Sequence, residues 1–353
     1  MNKLNVAILF GGCSSEHEIS KESADTIISN ISHTKYNVIP IYISKDGKWF
    51  LYDGNIHNIK NIDFEKLGTP TIISTDRSRK GLIRIVGEKF KHLKVDVFFP
   101  VLHGKNGEDG VLQGVFETSG IPYVGCGVLS SAVAMDKVFA KMIVNNIDVL
   151  QAPFLFFKKE DLENTEQIVK EVRNTIGYPC FVKPASSGSS IGISKAKNKK
   201  QLLEALNTAI TYDNKVIVEK FIKGRELECA VLGTGGLDTK ASLVGEIDTN
   251  EEFYSFDAKY NNMESRNIIP AQISEEISKQ IQESSLKIFK LLDGKGLSRI
   301  DFFLEDSTNK VIFNEINTFP GFTGISMYPM LCKSMGYDIE ALIDKLIEIA
   351  IYR

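Results

Sequence analysis

The sequence has no run of apolar residues approaching the roughly 18 that a membrane-spanning helix needs, so no helical membrane anchor is expected. Its five cysteines, Cys13, Cys126, Cys180, Cys229 and Cys332, form no C-x-x-C pair. An odd, scattered set argues against a disulfide framework and a zinc site, and reads as reduced thiols in a cytoplasmic protein. Charge of one sign is also lacking. Lys and Arg number 42 against 45 Asp and Glu, a net −3, and the pI lies near 6.1. No basic field is available for nucleic acid as the main partner. There is no G-x-x-x-x-G-K-[ST] phosphate loop, no internal repeat and no low-complexity linker. Gly125-Cys126-Gly127 lacks the third glycine of a dinucleotide fingerprint. Gly233-Thr234-Gly235-Gly236 follows a strand but leads into an apparent hairpin rather than a helix. A bound nucleotide would therefore be held by neither common motif.

What is present is globular. Of 353 residues, 43% are hydrophobic and 25% charged, which fits two or three domains. The start, MNKLNVAILFGG, reads as a first strand rather than a signal peptide. Val6–Phe10 stops at Gly11-Gly12, and Ser15-x-x-Glu18 then has the form of a capping box. Strands are expected at 38–43 and 95–102, the latter running into the loop His103-Gly104-Lys105-Asn106-Gly107-Glu108-Asp109-Gly110, with a helix over 111–119. Strands alternating with helices predict an open α/β first domain. From about residue 130 the pattern shifts to a helix over 135–144 and shorter strands of antiparallel character. Those strands are 179–184, 191–195, 216–222, 228–233, 243–248, 299–304 and 311–317, with a helix over 200–209. Amphipathic helices are predicted over 274–292 and 338–352.

Several stretches carry possible chemistry. KPASSGSSIGIS, starting at Lys183, places a lysine at a strand end before two glycines among five serines. Such a loop can close backbone N–H groups and hydroxyls over phosphate oxygens, or it can be an exposed surface loop. In SRIDFFL the residues Arg299, Asp301 and Phe303 share a face; in FNEIN so do Glu315 and Asn317. The turn-rich 305–310 between them predicts a hairpin with Asp301 opposite Glu315 and Arg299 opposite Asn317. Facing carboxylates repel unless a cation lies between them, and two carboxylates with an amide oxygen suit Mg²⁺. The other reading is a pair of solvated charges. Glu219, after the apolar Val216-Ile217-Val218 and flanked by Lys220 and Glu226, can accept from ribose hydroxyls or belong to a surface ion pair. FYSFDAKYNN, with Lys259-Tyr260, suits a lid or a structured crossover. Glu16 either favours the helix dipole or orients an amine. His103 is a polar-site candidate or a structural histidine.

Taken together, the motifs resemble the D-alanine–D-alanine ligase family of the ATP-grasp superfamily. The resemblance runs through GGCSSEHEIS at Gly11, HGKNGEDGVLQG at His103, MDK at Met135 and KPASSGSSIG at Lys183. It continues through VEKFIKGRE at Val218, FDAKY at Phe256, SRID at Ser298 and NEINTFPGFTGISMYP at Asn314. It implies an α/β ATP-grasp fold in three domains: an N-terminal α/β domain over 1–129, a central domain over 130–222 and a C-terminal domain over 223–353. ATP would be gripped between two antiparallel sheets, with Lys137, Lys183 and Glu226 near it. Glu219, Lys220 and Ile222 would hold the adenine edge, with Phe253 packed against it. Asp301, Glu315 and Asn317 would bind two Mg²⁺, or Mn²⁺. The family's Glu–Ser–Tyr triad falls on Glu16, Ser189 and Tyr260. Arg299 and the Gly321 N–H would stabilise an oxyanion, with His103, Lys259, Ser326 and Met327 at the substrates. The implied reaction joins two D-alanines through a D-alanyl phosphate for peptidoglycan precursors, in a cytoplasmic homodimer. The alternative within the family is D-serine as second substrate, as in vancomycin-resistance ligases. The readings from other classes are a nicotinamide dehydrogenase, for which the fingerprint is missing, and a non-catalytic amino-acid-binding protein.

Overall fold

The structure is a computed structural model that describes residues 3–57, 59–188, 191–248 and 266–352. The N-terminal part comprises β1 (Leu4–Gly11), α1 (His17–Asn30), β2 (Tyr36–Ile43), β3 (Trp49–Leu51), α2 (Phe64–Leu67), β4 (Thr69–Ile73), β5 (Gly81–Val86), β6 (Lys89–Lys94), β7 (Val97–Val101) and α3 (Val111–Ser119). Its seven-stranded sheet has the order β6-β5-β4-β3-β2-β1-β7. Only β2, β1 and β7 are parallel; β3 to β6 extend the sheet antiparallel. The expected α/β core is thus present with an antiparallel extension beside it.

The capping box expected at Ser15 does not form. Helix α1 starts at His17 with Glu16 as its N-cap residue. The Ser14 hydroxyl donates instead to the His103 carbonyl at 2.7 Å and accepts from the Glu16 N–H at 3.2 Å, while Glu18 pairs with Lys21 and Lys45. The tertiary contact is made by Ser14, not by the Ser15 of the expected box. Gly11, at φ +92°, admits no side chain, because a Cβ there would lie 2.2 Å from the Ile43 carbonyl oxygen.

Two short helices follow, α4 (Val128–Met135) and α5 (Lys137–Val144), where one was expected. Asp136 separates them and caps α5, accepting from the N–H groups of Val138 and Phe139. Then come β8 (Phe154–Lys158), α6 (Thr165–Thr175), β9 (Cys180–Pro184), β10 (Ser194–Ala196), α7 (Lys199–Ala209) and β11 (Lys215–Lys220). Strand β10 starts three residues later than the expected 191–195. The four strands form an antiparallel sheet, order β10-β9-β11-β8, with α6 and α7 buried against it through Ile168, Val172, Leu202 and Leu206.

The last part holds β12 (Gly224–Gly233), β13 (Lys240–Asp248), β14 (Arg266–Ile268), α8 (Glu275–Leu291), β15 (Gly296–Glu305), β16 (Val311–Asn317), α9 (Met327–Lys333) and α10 (Ile339–Ile351). Its antiparallel sheet has the order β14-β13-β12-β15-β16. Ser274 and Asp338 cap α8 and α10 with their side chains. Helix α8 buries Ile277, Ile281 and Ile288 against one face of the sheet. On the other side a single apolar core joins Ala230, Leu232 and Leu297 to Leu342 and Leu346 of α10, and onward to Ile27 of α1 and Phe99 of β7. The N-terminal sheet and the C-terminal sheet are therefore packed as one body through α10.

Candidate active site

Two cavities lie at the junction of the three sheets. The smaller, about 290 Å³, opens between the two antiparallel sheets; the larger, about 520 Å³, lies where the loops after β1, β7, β9 and β16 meet. Lys137, Ser187, Glu228 and Glu315 line both. All the described residues expected at a nucleotide, namely Lys137, Lys183, Glu219, Lys220, Ile222 and Glu226, line the smaller cavity. Glu16, His103, Arg299, Asn317, Gly321, Ser326 and Met327 line the larger. Asp301 lines the smaller, and Glu315 faces both. Ser189, Phe253, Lys259 and Tyr260, with the FDAKY stretch, lie outside the described residues.

The smaller cavity is built around a buried carboxylate. Glu219 at the end of β11 is 4% exposed and sits between two lysines. Lys183 Nζ approaches its Oε2 at 2.6 Å and Lys141 Nζ its Oε1 at 2.9 Å. Burial alone would raise this carboxyl, but the two ammonium groups outweigh it and hold the pKa down to about 2. Burial lowers the Lys141 pKa; at Lys183 burial acts the same way, but the pairing with Glu219 prevails and raises it. Glu219 is therefore a buried ion-pair partner rather than a surface charge. Each of its oxygens already faces a lysine, so its first role is to hold Lys183 at the strand end. Lys141 stands one helical turn after Lys137 on α5, and the sequence reading missed it.

The hairpin β15–β16 has the expected register: Arg299 faces Asn317 and Asp301 faces Glu315. After that pair a bulge at Asn314 lets Phe302 face Phe313, so both rings enter the core while the carboxylates face the cavities. Arg299 grips Asp301 with two hydrogen bonds of 2.7 Å, Nε to Oδ1 and Nη2 to Oδ2, and lies 3.1 Å from Glu228. Burial works against the guanidinium charge, yet Asp301 and Glu228 raise its pKa well above the usual value. Asn317 donates from Nδ2 to Asp301 at 3.0 Å, and Lys137 stands 3.5 Å from Glu315 and 2.7 Å from the Ser187 carbonyl. Among the described residues no group of three His, Cys, Asp or Glu side chains could hold a metal ion. The set here is two carboxylates and an amide. These are hard oxygen donors suited to Mg²⁺, and they stand next to a cavity that can take phosphate oxygens. Their convergence, with cations already balancing their charge, fits a divalent ion that completes its shell from a nucleotide.

In the larger cavity Glu16 is 7% exposed, and its Oε2 lies 3.0 Å from the position a Cβ would take on either Gly104 or Gly188. Glycine at both places lets the His103 loop and the serine loop close over this carboxylate. His103 is buried, which lowers its pKa; its ring lies 3.4 Å from the Ser23 hydroxyl and packs beside Phe319. Ser326 Oγ accepts from the Thr323 N–H at 3.0 Å and lies 2.9 Å from a Cβ position on Gly321. Met327 is buried over Gly245, where a Cβ would stand 2.7 Å from its sulfur. Glu228 also escaped the sequence reading. Its signal was the alternation from Glu226, since the two face Asp301 and Phe303 along β12. Among the described residues no helix is long and apolar enough to cross a membrane.

Comparison with known proteins concerns the chain as a whole. A family model described as D-ala D-ala ligase N-terminus matches residues 5–126, and one described as D-ala D-ala ligase C-terminus matches 143–348. A D-alanine–D-alanine ligase of Acetivibrio thermocellus is 49% identical over 100% of this chain and 97% of its own length. That of Caldicellulosiruptor bescii is 47% identical over 99% and 96%. Among solved structures, the VanG D-Ala:D-Ser ligase from Enterococcus faecalis superposes with a TM-score of 0.89 at 40% identity, covering 99% of this chain and 100% of that one. The D-alanine–D-alanine ligase from Coxiella burnetii gives 0.88 at 35% identity, covering 100% and 95%. With both halves matched by its models and relatives aligned along its whole length, the chain belongs to the D-alanine–D-alanine ligase family.

Proposed function

We propose that this chain joins two molecules of D-alanine at the cost of one ATP, giving D-alanyl-D-alanine, ADP and phosphate, in the cytoplasm and for peptidoglycan precursors. The observation that carries this reading is the meeting of the two cavities at Lys137, Ser187, Glu228 and Glu315. A nucleotide in the smaller cavity would point its terminal phosphate at that junction, where an amino-acid carboxylate from the larger cavity can reach it. The reading also takes the molecule as three domains, 1–129, 130–222 and 223–353, and as a homodimer.

In the first step a carboxylate oxygen of the first D-alanine attacks the γ-phosphorus, the bond to the ADP oxygen breaks, and an acyl phosphate forms. Lys183, held by Glu219, and the serine loop oppose the charge growing on the phosphoryl oxygens. Glu16 orients the first ammonium; the family resemblance assigns Ser189 and Tyr260, both outside the described residues, as its partners. Glu219, Lys220 and Ile222 hold the adenine edge with Glu226 near the nucleotide, and the family resemblance assigns Phe253, outside the described residues, to the adenine face. Mg²⁺ or Mn²⁺, held as two ions by Asp301, Glu315 and Asn317, would supply further neutralisation of phosphate charge.

In the second step the neutral amine of the second D-alanine attacks the acyl carbon. The new C–N bond forms, the C–O bond to phosphate breaks, and the amine proton departs. Arg299 and the Gly321 N–H lie where negative charge develops on the carbonyl oxygen. Ser326 and Met327 lie beside the second substrate, and the family resemblance assigns its carboxylate to Lys259, outside the described residues. Closure over both sites keeps water from the acyl phosphate. The test is phosphate release from ATP with D-alanine present, together with assay of the dipeptide. No release would refute the reading, and NADH consumption instead would point to a dehydrogenase.

A further inference from the structure

One carboxyl in the larger cavity has no part in the scheme above. Glu108, in the loop after β7, is half-buried at the cavity wall. Its Oε2 accepts from the Gly104 N–H at 2.6 Å within its own loop. Its Oε1 accepts from the Phe319 N–H at 3.2 Å, across 211 residues of chain. The Ser23 hydroxyl of α1 adds a second tie, accepting from the Phe322 N–H at 3.2 Å. The segment 318–326 is thus held at Phe319 and Phe322 by two side chains of the N-terminal part, and at Thr323 by its own Ser326. The bond donors at Phe319 and Phe322 bracket Gly321. Desolvation and the neighbouring Glu16 carboxylate push the Glu108 pKa up to about 8, against the two N–H groups that favour its charge. A carboxyl kept in so unfavourable a place, with one oxygen on each of two loops, is more than a surface acid.

We infer that Glu108 is a positioning residue for the second half-reaction, setting the backbone of Phe319 so that the Gly321 N–H meets the oxyanion as the amine attacks. This rests on the ligase reading of the site. A misplacement of about 1 Å at such a donor can cost on the order of 100-fold in rate. Of the groups in the first half-reaction, Lys183 and the described residues of the serine loop are not touched by Glu108, while Glu16 is its neighbour in the cavity. Loosening the clasp should therefore leave acyl phosphate forming while its capture by the amine slows, and water then takes the carbonyl instead, releasing the same phosphate without dipeptide.

The experiment compares wild type with Glu108→Gln and Glu108→Ala, measuring phosphate and D-alanyl-D-alanine in the same reactions. Wild type is expected to give one phosphate per dipeptide. Glu108→Ala should form dipeptide about 100-fold more slowly, release phosphate in clear excess over dipeptide, and keep its KM for ATP within about two-fold. Glu108→Gln keeps one acceptor oxygen and should fall between the two; should the alanine variant fail to fold, the glutamine variant alone decides by its phosphate-to-dipeptide ratio. A ratio that stays at one in the folded variants overturns the inference, whether or not the rate falls. A wild-type protein that makes no dipeptide would instead overturn the ligase reading itself.

Discussion

Arg299 holds Asp301 in a two-pronged grip, Nε to Oδ1 and Nη2 to Oδ2, both at 2.7 Å, while its Nε also stands 3.1 Å from Glu228. The guanidinium therefore orients one of the proposed metal-binding carboxylates and contributes positive charge to the larger cavity. A lysine would retain the charge but lose the planar fork. Arg299→Lys is expected to lower kcat by about 100- to 1,000-fold, the usual effect of losing one oriented donor at an oxyanion. Steady-state phosphate release measures it, with circular dichroism to show that the fold persists. A variant turning over at the wild-type rate would remove Arg299 from the chemistry.

Glu315 lies directly across from Asp301 and only 3.5 Å from Lys137, so it is the carboxylate through which metal, nucleotide and lysine would all communicate. Removing divalent ions with EDTA should abolish turnover, and added Mg²⁺ should restore it. Glu315→Gln keeps shape but loses charge; it should raise the Mg²⁺ concentration needed for half-maximal activity at least about ten-fold, because hard cations depend on anionic oxygens. Direct Mn²⁺ binding, followed by electron paramagnetic resonance with ADP present, gives a readout separate from turnover. Equal Mn²⁺ affinity in variant and wild type would show that the ion is held elsewhere.

The β15–β16 pairing was legible because alternation along two strands and a turn-rich connection leave few registers that bury the apolar face. The bulge at Asn314 was not. It reflects where Phe302 and Phe313 must both go once the helices α4, α5 and α8 close over them, which no local pattern states. Caps at Ser274 and Asp338 followed the local rule, whereas Ser15 did not, since helix α1 begins at His17 with Glu16 as its N-cap residue. Strand β6 escaped notice since it is largely exposed and three of its six residues are lysine. Lys141 reads in sequence as an ordinary helical cation. Its meaning depends on Glu219, which only the fold brings alongside.

That Lys141–Glu219 contact has a measurable consequence. Breaking a buried ion pair from one side leaves the other charge uncompensated, at a cost of about 3–5 kcal/mol. Lys141→Met, similar in length and apolar, should therefore lower the melting temperature at pH 7 by several degrees. Acid should reveal the same link. The folded Glu219 carboxyl takes up its proton only near pH 2, whereas its ordinary value is 4.5. As pH falls from about 4.5 toward 2 the unfolded chain binds that proton first, and the stability contributed by Glu219 drains away across that window. In Lys141→Met the carboxyl is held down less, so the loss should still begin near pH 4.5, where the unfolded chain titrates, but finish at higher pH and be smaller in total. A variant whose melting curve tracks the wild type from pH 7 to pH 3 would show that Lys183 alone suffices.

On the proposed reading, the second substrate meets the wall formed by Met327 and Ser326. Met327 is buried against Gly245, and its apolar side chain suits a methyl group better than a hydroxymethyl group. An apolar pocket discriminates weakly against a single added hydroxyl, by about ten- to two-hundred-fold. With D-alanine as first substrate, kcat/KM should therefore favour D-alanine over D-serine within that range. The D-Ala:D-Ser ligase among the structural neighbours makes the comparison a sharp one, since its fold is superposable at 40% identity. Met327→Arg should shrink the preference by about ten-fold, with the hydroxyl gaining a polar partner where the methyl loses an apolar one. Competition assays with equal D-alanine and D-serine, resolved by mass spectrometry of the dipeptides, measure the ratio directly. A wild-type protein that makes more D-alanyl-D-serine than D-alanyl-D-alanine would mean that the polar atoms of Ser326 and Thr323, rather than the thioether, face the incoming side chain.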